Sequence, residues 1–144
     1  KVKIQEDIIL DNQDYGSKRT LEISSIDEIS KRIVTCAASQ TTTVAVFNSN
    51  AYGAAGAVDI EDSKYIRVTN LDSSNAVELA VVGAATLYQV TLAAGQSHVL
   101  GSADGLMLAE ADTSPSFGTM ADISSLQVNP GSNAVSVEVF IASA

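Results

Sequence analysis

What this chain lacks narrows what it can be. It has no tryptophan and a single cysteine, Cys36, so no disulfide can form within it and its stability must come from packing. It has no apolar run near the ~20 residues needed to span a bilayer. Its opening residues, KVKIQEDIIL, are charged and alternating, unlike the apolar core of a secretory signal. The first residue is Lys1 rather than Met, compatible with a trimmed start.

Positive charge is also missing from more than half of the sequence. All eight basic residues (Lys1, Lys3, Lys18, Arg19, Lys31, Arg32, Lys64 and Arg67) lie at or before Arg67. From Val68 onward the only charges are Asp72, Glu78, Asp104, Glu110, Asp112, Asp122 and Glu138, and the net charge is −9. Nucleic-acid binding needs clustered cations to displace counterions from phosphates, and anionic membranes attract the same cations. Neither partner is expected. A second half so rich in Ala, Ser, Gly and Val, with so few charges, predicts that neighbouring chains cover part of its surface. A homo-oligomer is therefore expected.

What the sequence does contain is period-two alternation between turn signals. At 144 residues the chain is long enough for one domain with a real core. Strand-like runs are Val2–Leu10, Thr20–Ser24, Ile33–Ala37, Thr42–Phe47, Tyr65–Asn70, Ala76–Val82, Thr86–Leu92, Ser97–Leu100, Leu106–Ala111, Leu126–Val128 and Val135–Ala142. In the last, Val135, Val137, Val139 and Ile141 form one apolar face, and the turn Asn129-Pro130-Gly131-Ser132-Asn133 precedes it. Lys64–Val82 predicts a β-hairpin closed by the polar segment Asn70–Asn75, with Arg67 and Glu78 paired on its wet face. Leu92–Gln96 predicts a second hairpin turn. The expected fold is all-β: one antiparallel β-sandwich over residues 1–144, jelly-roll-like, with at most one short helix near residues 26–32. That helix rests on Ile26, Ile29 and Ile33 sharing a helical face and on the capping-box spacing of Ser25 and Glu28. Asn48–Ala57 and Asp112–Ser125 are expected to be surface loops, since Pro115 cannot continue a central strand.

No motif for catalysis, cofactor or metal binding is complete. His98 is the sole histidine and has no partner in sequence for acid–base work or metal ligation. Cys36, among apolar neighbours, reads as a packing thiol. Asp11, Gly16 and Glu22 match three places of a calcium loop, but Gln13 and Tyr15 break the oxygen-ligand pattern, leaving a polar turn. Adjacent Glu61 and Asp62 would face opposite sides of a strand, and form a polar lip before Lys64. Gly53-Ala54-Ala55-Gly56 lacks the Lys-Ser/Thr of a phosphate loop. A stacking platform for sugars has only Tyr15, Tyr52, Tyr65 and Tyr88 to draw on, with Tyr15 and Tyr52 the candidate pair. Catalytic, cofactor and metal residues are all expected to be none.

Four segments carry a family resemblance: Glu28–Val34 (EISKRIV), Thr41–Phe47 (TTTVAVF), Lys64–Asp72 with Asn75 and Val77–Leu79 (KYIRVTNLD…N.VEL), and Leu92–Ser97 (LAAGQS). Over about half of its length, the chain resembles small β-rich structural proteins from the virions of tailed bacteriophages. The resemblance implies a non-enzymatic protein that makes repeated contacts with the major capsid protein or other virion proteins, and a location in the virion. Within that family the acidic balance favours a decoration or cement protein on the outer surface of the head, away from packaged DNA. The alternative is a tail or fibre-base component with a carbohydrate- or receptor-binding β module.

Overall fold

A computed structural model describes the chain except residues 51–52, 85–86 and 111–113 and the side chain of Leu87. Among the described residues there are thirteen strands and no helix. Eight long strands build a sandwich: β5 (Glu28–Cys36), β6 (Thr42–Asn48), β8 (Ser63–Asn70), β9 (Val77–Gly83), β10 (Leu87–Leu92), β11 (Ser97–Leu100), β12 (Ile123–Asn129) and β13 (Val135–Ser143). One sheet has the order β11-β8-β13-β5; the other has β10-β9-β12-β6, extended by the short parallel strand β7 (Val58–Asp59). Every connection between successive long strands crosses between the sheets except β9–β10. That order is the jelly-roll arrangement of two interleaved Greek keys.

Alternation decides which side of each strand meets the core. Ile66 and Val68 on β8, Val77, Leu79 and Val81 on β9, and Val135, Val137, Val139 and Ile141 on β13 all point inward and are buried. Together with Val44, Phe47, Ile123, Leu126 and Val128 they form one apolar cluster.

Two expected hairpins are corrected by this topology. β8 and β9 lie in opposite sheets, so Asn70–Asn75 is an arch across the core. β10 and β11 are likewise separated by the arch over residues 93–96. The reason is visible in Asn70, which is fully buried. Its side-chain amide donates to the carbonyls of Asn75 (2.8 Å), Leu92 (3.1 Å) and Ala93 (3.2 Å), and its Oδ1 accepts from the Asp72 amide (3.0 Å). One side chain therefore satisfies backbone groups of both arches, which would otherwise be buried unpaired. Asp72 shapes the first arch by accepting from the amides of Ser74 and Asn75. The Asn75 and Ser74 bonds, in that order, hold its carboxyl below the usual range.

Of the at most one short helix allowed near residues 26–32, none forms, because Glu28–Cys36 pairs with β13 along its whole length. Leu106–Ala111 is not a strand in its described part; Met107 makes only an isolated bridge to Ala121.

The sandwich itself begins at Glu28. Before it, β1 (Val2–Gln5) pairs with β4 (Lys18–Leu21), and β2 (Ile9–Leu10) with β3 (Gln13–Asp14). Their registers are continuous: Glu6 N–H donates to the Ser17 carbonyl and Tyr15 N–H to that of Ile8. The four short strands are thus one β-ribbon over residues 2–21. Its tip is the pair Asp11 and Asn12, both at positive φ (50° and 62°), the two-residue turn that matches strand twist. Gly16 is required on the return strand, where a Cβ would sit 1.7 Å from the Glu6 carbonyl oxygen.

Candidate functional site

The residues singled out in the sequence are dispersed by the fold. His98 sits on edge strand β11 facing Tyr88 on edge strand β10, with Nε2 3.0 Å from the tyrosine hydroxyl and the rings edge-on. Burial lowers the His98 pKa and raises that of Tyr88. The pair closes one open side of the sandwich; on the other, the Arg32 guanidinium donates to the Val44 carbonyl. Cys36 is buried, which pushes its thiol up despite a hydrogen bond with Thr42.

Asp11 and Glu22 lie at opposite ends of the ribbon, so the calcium-like spacing is not assembled. Glu22 instead pairs with Lys1 at 2.6 Å. Glu61 and Asp62 fall in the turn before β8 rather than on a strand. A hydrogen bond with Asp59 raises the Glu61 pKa, and the Glu61 carbonyl accepts from Lys64 Nζ. Gly53 and Gly56 belong to the loop preceding β7. Of the proposed tyrosine pair, Tyr15 is exposed on the ribbon and Tyr52 lies outside the described residues. No group of three or more potential metal ligands occurs among the described residues.

Open surface concavities accompany this, two of them as follows. One, of about 310 Å³, lies on the outer face of the five-stranded sheet between Glu78, Gln89 and Gln127. The other, of about 430 Å³, lies beside Arg32, Asp59 and Asp62. Neither is lined by an aromatic side chain among the described residues.

What the fold does bring together is apolar surface left uncovered. Alternation and cross-strand register put Val2, Ile4, Ile8, Leu10, Tyr15 and Leu21 on one face of the ribbon. Side-chain contacts agree: Ser17 Oγ donates to Glu6 on this face and Tyr15 bonds Gln13, while Gln5 bonds Asp7 on the other. Ile8, Leu10 and Tyr15 are 54%, 62% and 59% exposed. Among the described residues, no hydrophobic side chain before Val34 belongs to the core cluster or packs against it.

The second uncovered surface is the outer face of the four-stranded sheet. Ile29 and Ile33 on β5 and Val99 on β11 are 62%, 63% and 48% exposed. Between them Tyr65 and Phe140 meet edge-on at 6.1 Å, and Arg67 lies over the Phe140 ring at 5.4 Å. Arg67 and Lys31 converge on Glu138 at 2.6 and 3.2 Å. This replaces the expected Arg67–Glu78 pair. The Arg67 bond first, then that of Lys31, keeps the Glu138 carboxyl below its ordinary range. All four cations of the sandwich, Lys31, Arg32, Lys64 and Arg67, lie on this sheet; the other sheet carries none.

Sequence reasoning did not single out this surface. Its only signals were the exposed-face partners of the alternating runs, which look the same whether solvent or a neighbour covers them. A third apolar element, Phe117, is 82% exposed at positive φ in the loop after β11. Comparison with protein-family models, with curated proteins and with solved structures returns no match to this chain.

Proposed function

We propose that this chain is a non-enzymatic structural protein of a bacteriophage virion, decorating the outer surface of the head by binding its major capsid protein. The observation that carries this reading is the uncovered apolar surface on the ribbon and on the four-stranded sheet. Exposed apolar surface of this kind marks a protein–protein contact site. The dispersal of His98, Cys36 and the carboxylates supports binding over chemistry. The resemblance of residues 28–79 to virion proteins supplies the direction. Jelly rolls are used in viral shells, and also in lectins and cupins, so the architecture supports the reading only by analogy. The net charge of −9 disfavours contact with packaged DNA.

A second reading, a tail or fibre-base component with a receptor-binding module, is favoured by Phe117, an exposed aromatic on a loop at one end of the sandwich. Quantifying this chain by mass in purified particles separates the two. Hundreds of copies per particle, labelled by antibody on the head, are the expected result. A handful of copies labelled at the tail favours the second reading, and absence from particles overturns both.

A further inference from the structure

The ribbon and the outer sheet face are each uncovered within one chain, and the geometry points to each covering the other between two copies. The ribbon of one protomer lays its Val2–Leu10 and Tyr15–Leu21 apolar face on the Ile29, Ile33 and Val99 face of its partner, and the partner reciprocates. This rests on the reading of the chain as an assembly protein and names the partner as a second copy of itself.

Three observations carry it. First, a two-stranded ribbon is marginal in water without a covering surface, yet this one places six apolar side chains on one face. Second, charge selects the acceptor. On the distal part of the ribbon's apolar face, between Glu6 and Ser17, the only charge is Glu6, with Asp11 at the tip; Arg19 lies on the same face nearer the sandwich. The outer face of the four-stranded sheet presents Lys31, more than half exposed, with Arg67 beside it. The five-stranded sheet has no cation and presents Glu78, so it would repel the same tip. Third, the dimensions agree. Each ribbon arm, residues 2–10 or 13–21, matches the nine residues of β5 and of β13, each ~30 Å long, so the ribbon runs the length of these strands.

Area then favours reciprocity. A ribbon face of ~30 Å by ~10 Å buries roughly 600–700 Å² counted on both partners, below the ~1,200 Å² of a stable interface. A two-fold exchange makes the contact twice and reaches it. Such an interface is isologous and closed, with each protomer giving one ribbon and receiving one.

Sedimentation of the full chain across a concentration series tests this. The expected species is a dimer of 14.9 kDa protomers. Ile8→Asp with Leu10→Asp, and separately Ile29→Asp with Ile33→Asp, each weaken association at least ~30-fold, the loss typical of central contact residues. Both retain the thermal transition of the sandwich. Ile9→Asp, on the opposite ribbon face and 71% exposed, leaves the dimer intact. Mixing the two double variants restores association to a level between wild type and either variant, because one ribbon and one sheet face remain competent. A wild-type monomer at high concentration, or a mixture that associates no better than its components, overturns the exchange. A chain that is monomeric yet abundant on phage heads removes the exchange and leaves the decoration reading standing. A dimer absent from particles does the reverse.

Discussion

The ribbon over residues 2–21 and the sandwich from Glu28 onward are written in the same two-residue period and end in opposite states. Leu126 and Leu10 are both strand leucines on the apolar face of their element. Leu126 is fully buried between sheets, and Leu10 is 62% exposed. The difference is the presence of a second layer: each sandwich sheet has one, and the ribbon has none among the described residues of its own chain. Alternation prescribes which face wants cover; only the path of the chain decides whether cover is supplied, and from where.

The largest effect expected from this contrast is in the leucines themselves. Leu126→Ala destabilises the dilute chain by about 3–4 kcal/mol, through lost burial and a cavity, whereas Leu10→Ala changes it by less than about 0.5 kcal/mol. Urea denaturation at a concentration where the chain is monomeric checks both. Equal losses would mean that the ribbon is packed within one chain. Asn70→Ala is expected to cost about 2–3 kcal/mol in the same assay, because three carbonyls of two arches lose their donor. A loss within the ordinary surface range would refute the account of the arches. Gly16→Val breaks the ribbon, as its side chain collides with the Glu6 carbonyl, while the sandwich unfolds within about 0.5 kcal/mol of wild type.

The smallest expected effects are in pH dependence, and they belong to the sandwich alone. Burial lowers the folded-state pKa of His98 below its ordinary 6.5. Folding therefore favours neutral imidazole, and this contribution is present above pH 6.5 and lost as the pH falls toward the folded value. Glu138 is likewise depressed from 4.5, here by Arg67 and Lys31. Its contribution is present above 4.5 and lost as the pH falls through the lower folded value. Stability should decline in two shallow steps, the first absent in His98→Gln and the second reduced but not abolished in Glu138→Gln, because Asp72 is also held below its ordinary range. An acid step undiminished by Glu138→Gln would assign it to other groups.

Much of the sandwich was legible because alternation and burial coincide there. Ser97–Leu100 is observed with its expected bounds, and β13 extends its expected run by one residue, Ser143. Strand partners were not legible. The Asn70–Asn75 segment has the chemistry of a tight turn, and a period-two pattern does not say whether the next strand returns beside the last or crosses to the other sheet. The deciding residue, Asn70, looked like one more turn asparagine; its role depends on Leu92 and Ala93, more than twenty positions away. The short helix that competed with β5 has an equally simple cause. Ile29 and Ile33 are four residues apart, a spacing that shares a face in both a helix and a strand. The contact surface was the least legible part. Lys31, Arg67 and Glu138 come together only through the pairing of β5, β13 and β8, and exposure of the ribbon is a property of the whole fold.

Amide hydrogen exchange measured at low and at high protein concentration tests the central claim most directly. The account predicts that sandwich amides such as those of Val68 and Val137 are protected at both. The ribbon amides of Glu6 and Tyr15, which donate across the ribbon, should exchange fast when dilute and slow as copies associate, together with an increase in protection along β5. Ribbon protection that is independent of concentration would contradict it, showing that the chain covers its own ribbon.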